Sequence, residues 1–376
     1  MKICKRKSVL AILTILIILC FLLYLRIREE NNEYSKDMKY FINTVEENYP
    51  YQEYLNFDEK KDFYLEAAQS CESLEEFYKL LKSIVKPYNG LGHLFILNAE
   101  EYYLHQITYD MALEDRLISL ENDNYKILND NEVKATYDQL SSLTGTTLDK
   151  VKQSMHENQD GENKENVHFK KYDDVLVIKI DSFDYSLIEN DMKIIKEYLA
   201  AYEGDCIAFD IRENGGGADS YWINLVAMTS DQDYEYNKKV TGRGEMSLSY
   251  AKEEIEGAIL HQSKDNFEIQ VTEEIESQNV YNFPKRYILT SGKNFSSADT
   301  FAKFAKESGY AVSVGEQTKG SGGDFLNPML IELPNTHIIF RMDACKTDEI
   351  GSKPDIAVTG DALQFFLNME KFFKFF

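Results

Sequence analysis

Residues 206–217, CIAFDIRENGGG, constrain the fold more than any other stretch of the chain. Residues 206–211 are a short apolar run, rich in aromatic and branched side chains, and read as a buried strand. Arg212, Glu213 and Asn214 follow, then Gly215, Gly216 and Gly217. Three consecutive glycines cost backbone entropy that an ordinary turn does not demand. The usual return is a backbone that approaches a ligand closely, with N–H groups free to donate. A developing oxyanion needs such a cradle. The alternative is a plain strand-to-helix loop, because glycine-rich loops are common.

Residues 287–302, YILTSGKNFSSADTFA, repeat the pattern of strand, turn and helix. Residues 291–294 carry turn chemistry. From Ser296 onward, Ala298, Phe301, Ala302 and Ala305 recur at helical spacing. A serine at that junction is held at a sheet edge, and the first N–H groups of the helix point toward its reacting oxygen. The competing reading is a helix cap, with Asp299 complementing the dipole. A third feature is His93 in PYNGLGHLFIL, between a glycine-rich turn and an apolar strand. A histidine at a loop edge can act as a general base, or simply be a satisfied structural residue. None of His105, His156, His168, His261 and His337 has that frame, although His337 lies in a late strand.

Taken in order, these segments resemble the tail-specific or C-terminal processing serine peptidases, a family that includes the tricorn core and retinoid-binding relatives. The matching residues are Asp210-Ile211-Arg212-Glu213-Asn214-Gly215-Gly216-Gly217, then Ser296-Ser297-Ala298-Asp299, then Gly315-Glu316-Gln317-Thr318-Lys319-Gly320, and finally Asp348 through Asp355, DEIGSKPD. The resemblance covers roughly residues 35 to 365. It implies an α/β (α+β) chain with a ClpP/crotonase-like β-α superhelical core over 91–365 and a helical N-terminal subdomain over 35–90. One branch of the family uses a lysine after the G-E-x-T-x-G motif, where this chain has Ser321, with Lys319 two residues early. The other uses a histidine where His93 falls, so the resemblance implies a Ser-His pair. Leu91 and Leu94 depart from that branch's usual Asp and Thr.

The resemblance then assigns roles. Ser296 is the nucleophile, His93 the base, and Asp348 or Glu349 orients the imidazole, with Asp348 the better match in register. Gly216 and Ser297 supply oxyanion N–H groups, and Gly215 and Gly217 line the substrate. Asp210 and Arg212 brace the glycine loop; Gly315, Thr318 and Gly320 shape the loop beside the site. The peptide-binding PDZ module usual in tail-specific members has no counterpart in residues 100–170. Neither a metal nor a cofactor is expected. Two further readings stay open: a binding relative on the same fold, and an inert membrane-anchored scaffold.

Composition narrows the partners. With 43% hydrophobic residues in 376, the chain can bury a large core. A net charge of −23 repels a phosphate backbone and excludes nucleic acid as a partner. Residues 9–25 are apolar apart from Thr14, flanked by Lys2, Lys5, Arg6 and Lys7 before and Arg26 and Arg28 after. No small-residue cleavage pattern follows. Residues 1–28 therefore read as an uncleaved single-pass anchor in the cell membrane, with the N-terminus inside and the catalytic region outside. Cys71, Cys206 and Cys345 remain beyond the anchor, without metal-site spacing. Pairing with a second copy stays open, since no heptad run demands it.

The remaining pattern gives helices over 39–55, 60–85, 141–155 and 187–202. It gives strand-like alternation over 93–120, strands at 175–180, 310–314, 329–333 and 336–342, and an exposed loop at 156–166. Residues 230–280 are polar and poorly patterned, and read as an insertion or lid.

Overall fold

The computed structural model describes residues 32–160, 165–254, 257–320 and 326–373. The apolar run at 9–25 lies outside the described residues, and no described helix is long and apolar enough to cross a membrane.

The N-terminal part is helical: α1 (Glu33–Asn48), α2 (Phe57–Gln69), α3 (Leu74–Val85), a short strand β1 (Phe95–Ile96), then α4 (Ala99–Glu114), α5 (Asp123–Asn129), α6 (Asn131–Thr144) and α7 (Leu148–Asp160). Ser73 caps α3 through its side chain, which accepts from Glu76 N–H. The alternation expected over 93–120 holds only for β1. Asn98 and Glu101 exchange side-chain-to-backbone bonds of 2.9 and 2.8 Å, and this capping box starts α4 instead. The single helix expected over 141–155 is broken at Gly145, whose φ of 69° ends α6. Residues 156–160, expected in a loop, continue α7.

The larger part follows: β2 (Val167–Tyr172), β3 (Val175–Ile180), α8 (Ile188–Ala200), β4 (Cys206–Asp210), α9 (Asp219–Thr229), β5 (Tyr234–Arg243), α10 (Glu245–Glu254), β6 (Gly257–Gln262), β7 (Asn266–Ile275), β8 (Lys285–Thr290), α11 (Ser297–Ser308), β9 (Val312–Gly315), β10 (Met329–Glu332), β11 (Ile339–Met342), β12 (Cys345–Lys346), β13 (Ile356–Ala357) and α12 (Ala362–Phe373). Six strands form the main sheet in the order β13-β9-β8-β4-β3-β2, all parallel except β2. Phe209, Trp222, Ile288 and Phe301 fill one side of it, and Phe366 of α12 covers the other with Ala208 and Leu289. Helices on both faces of a mostly parallel sheet make this an α/β core. The glycine loop leaves β4 and the serine loop leaves β8, so the two emerge side by side at the carboxyl ends of paired strands.

Residues 230–280, expected to be poorly patterned, supply the strands β5, β6 and β7 of an antiparallel sheet completed by β12, in the order β12-β5-β7-β6. Along β5, Tyr234, Tyr236, Lys238 and Val240 point inward in strict alternation. The inward Lys238 disguises the period in the sequence; its ammonium lies 4.5 Å from the Tyr236 ring centre. A third sheet, β1-β11-β10, joins the helical part to the core, with Phe95 opposite Arg341 and Ile96 opposite Phe340. Its inner face belongs to an apolar cluster that includes Leu94, Ile96, Phe340 and Met342.

Candidate active site

Ser296 sits at the start of α11 in a strained conformation, φ 53° and ψ −129°. A positive φ on a non-glycine residue costs energy and persists only where surrounding bonds enforce it. Here they do. The Ser296 N–H donates to Gly320 O at 2.9 Å, and its carbonyl accepts from Asp299 N–H and Thr300 N–H at 2.8 and 3.0 Å. Its hydroxyl makes no capping bond, which removes the helix-cap reading. The side chain is thereby held out from a sharp strand-to-helix turn, the geometry of a nucleophile elbow.

Two buried asparagines tie this turn to the glycine loop: Asn214, part of the glycine motif, and Asn294, which reads as ordinary turn chemistry. Asn294 donates to Asn214 O at 3.1 Å and to Ile211 O, and accepts from Ser291 N–H at 2.7 Å. Asn214 donates to Ile180 O at 3.3 Å. Gly216 has φ 110°, and a Cβ there would stand 2.6 Å from Phe295 O and 3.0 Å from the Ser296 Cβ. Only glycine permits that approach to the nucleophile segment. Gly217, at φ 141°, lies against the Phe183 carbonyl, whereas Gly215 has open space around its Cβ position and no need to be glycine.

One of the two expected oxyanion donors is already engaged. The Gly216 N–H, expected to face a substrate, donates to Asn214 Oδ1 at 2.8 Å. It is committed in this conformation because the Asn214 carboxamide folds back over the turn. Ser297 begins the helix, and its N–H has no acceptor among the described residues. Its buried Oγ is also without a hydrogen bond among them.

His93 is buried beside this turn, its ring 4.8 Å from that of Phe295, the residue before Ser296. The acid that contacts His93 is Asp343; Asp348 and Glu349, expected in that place, do not reach the ring. His93 Nδ1 lies 2.5 Å from Asp343 Oδ1, and the His93 backbone N–H donates to Asp343 Oδ2 at 2.9 Å. A carboxylate at Nδ1 fixes the proton there and leaves Nε2 as the basic nitrogen. The reason is register. Phe95 pairs with Arg341, so continuing the antiparallel ladder by two residues puts His93 opposite Asp343. Asp348 and Glu349 are exposed, and the Glu349 carbonyl accepts from Lys303 instead. Gly92, at φ 87°, makes room for the pair: a Cβ would meet Asp343 Oδ2 at 2.5 Å and the Tyr49 hydroxyl at 2.4 Å. Tyr49 donates to Leu91 O, and burial, with the Asp343 charge, pushes its pKa well up.

The flanking residues behave as braces. Asp210 and Arg212 form a two-point pair, each bond 2.8 Å. Thr318 bonds Asp299, which also accepts from Ser352 N–H at 3.0 Å and pairs with Lys303 at 3.2 Å. Lys319 lies over the Phe295 ring, 5.2 Å from its centre, with its chain against Gly90. Ser321 lies outside the described residues. Among the described residues no disulfide joins Cys71, Cys206 or Cys345. Among the described residues no cluster of His, Cys, Asp and Glu could hold a metal ion.

Residues 174–358 match peptidase family S41. That span holds Ser296, Asp343 and the glycine loop, while His93 precedes it. No curated protein matches the chain. Among solved structures, a candidate peptidase from Parabacteroides merdae ATCC 43184 is 17% identical with a TM-score of 0.51, covering 88% of this chain and 91% of that one. A lipoprotein from Streptococcus agalactiae is 13% identical with a TM-score of 0.50, covering 90% and 96%. At such identities the likeness is one of fold. The family match and the motifs within it agree: residues 174–358 are similar to peptidase family S41, and the Ser296 turn and the glycine loop lie inside that match.

Proposed function

We propose that the protein is a Ser-His-Asp endopeptidase acting on peptides or unfolded protein segments, on a ClpP/crotonase-like core. The observation that carries this reading is the His93–Asp343 pair beside the strained Ser296 turn. Ser296 Oγ attacks the peptide carbonyl carbon while His93 Nε2 takes its proton. Asp343 holds the ring and stabilises the imidazolium. The carbonyl oxygen, now anionic, receives the Ser297 N–H and a second N–H from the glycine loop. The C–N bond breaks as His93 returns the proton to the leaving amine. Water, deprotonated by the same nitrogen, then releases the acid product and restores Ser296. In cells, the apolar run at 9–25 would anchor this domain in the membrane, facing outward, as the surplus of cations before the run supports.

The test is hydrolysis of a quenched-fluorescent peptide library by the full-length chain, with Ser296→Ala as control. Cleavage in the wild type that vanishes in the variant is expected; cleavage that survives it, or none in either, contradicts the proposal. A binding role on the same fold is favoured by one feature, the committed Gly216 N–H, and would leave the library intact.

A further inference from the structure

The strand ladder that delivers Asp343 to His93 delivers a cation to the same face. Side chains alternate along a strand, so continuing the ladder past the ends of β11 and β1 puts Asp343 on the face of Arg341 and His93 on the face of Phe95. The opposite face, Leu94, Ile96, Phe340 and Met342, is packed in the core. The outer face of this ribbon thus carries the base, its acid and an arginine in one row.

Arg341 differs from the other enclosed arginines of the molecule. Arg212 is neutralised by Asp210 through two bonds. Arg286 donates to the carbonyls of Tyr310, Thr229 and Phe283. Arg341 has only a neutral partner: its Nη1 lies 3.1 Å from His105 Nε2, and its guanidinium covers the Phe95 ring at 5.3 Å. Its buried Nε makes no hydrogen bond, and no described carboxylate is within ion-pair distance. Asp343 is near enough to act on its charge, yet both Asp343 oxygens are engaged by His93. Nor does His105 compensate the charge. Burial, the Arg341 charge and the nearness of His93 push its pKa down to about 3, so it stays neutral and accepts. Enclosing a guanidinium without an anion is unfavourable. In a chain with 64 acids and 41 bases, folding alone had ample means to pair it.

We propose that Arg341 binds a carboxylate of the substrate, either a free C-terminus or an Asp or Glu side chain, beside the scissile bond. A planar guanidinium without a bound anion suits two-point binding of that group. The proposal rests on the peptidase reading.

The test uses the full-length chain and a peptide library in which each member exists as free acid and amide, and each Glu or Asp is paired with Gln or Asn. Cleavage is quantified by mass spectrometry. The wild type is expected to favour one carboxylate form by about tenfold or more, mainly in KM, and the arm that responds identifies its source. Arg341→Gln should bring that ratio close to one, and Arg341→Lys should leave it intermediate. Wild-type cleavage without carboxylate preference, or a preference that survives Arg341→Gln, overturns the proposal. Should Arg341→Gln fail to fold, the wild type decides: a free-acid cleavage product should slow fluorophosphonate labelling of Ser296 more than its amide does, and equal effects overturn the proposal. Wild-type protein that neither cleaves nor labels sinks the peptidase reading and this inference together, whereas cleavage indifferent to carboxylates sinks this inference alone.

Discussion

The two halves of the proposed active site are built in opposite ways. The nucleophile half is local: two loops leave neighbouring parallel strands, and Asn294, Asn214 and the Gly320 carbonyl lock them together within one layer of backbone bonds. Its strain sits in a single residue, Ser296. The base half is assembled across 250 residues of sequence, from the two strands β1 and β11, and β1 is only two residues long. It depends on the helical part of the chain, because Tyr49 of that part bonds the loop before His93. The nucleophile half is therefore expected to survive perturbation of the helical part, and the base half is not.

The largest effect that would break this comparison is at the shared chemistry. Asp343→Asn should lower kcat by about 10⁴-fold, since the amide favours the wrong imidazole tautomer. Asp348→Asn and Glu349→Gln, both exposed, should leave steady-state kinetics within about twofold. Equal losses in all three would restore the downstream acid. Next, Gly216→Ala should destabilise the fold by about 1–3 kcal/mol in denaturant unfolding, because it adds a Cβ against Phe295 O at positive φ. Gly215→Ala, with open space, should stay within about 0.5 kcal/mol. Ser296→Gly should abolish turnover yet raise stability by about 1 kcal/mol by relieving the strained turn; a stability loss would mean the turn is not strained.

The smallest effect is a pH slope on the base half. His105 has its pKa lowered to about 3 in the folded chain, against an ordinary value near 6.5. Below pH 6.5 the unfolded chain then binds more protons, so stability rises with pH between about 3 and 6.5 and falls on acidification. The slope contributed is at most about 1.4 kcal/mol per pH unit. His105→Gln should flatten that slope in urea titrations at pH 4, 5 and 6; an unchanged slope would show that the ring is not held neutral.

That division also explains what the sequence disclosed. Ser296, the glycine loop and the parallel strands carrying them are contiguous motifs, so local pattern suffices to find them. The strands at 329–332 and 339–342 were legible as well. Asp343 was not, because its role follows from strand register between segments far apart, and a sequence aligns motifs but not ladders. The signal was present in weak form: an acid at the end of an apolar strand, one side-chain period beyond Arg341. Asn294 looked like an ordinary turn residue, and Asn214 was visible only as part of the glycine motif, without its bracing role. The helix at 99–114 was hidden by tyrosines and branched residues that mimic a strand, though the Asn98–Glu101 box announced it. Lys238, pointing inward, concealed the period of β5.

The most direct test of the account is the rate at which a fluorophosphonate labels Ser296, located by mass spectrometry, in the full-length wild type and in His93→Ala, Asp343→Asn and Lys319→Ala. The account predicts rapid labelling in the wild type and in Lys319→Ala, with loss in the other two. Labelling that survives His93→Ala and disappears in Lys319→Ala would contradict it and make lysine the base.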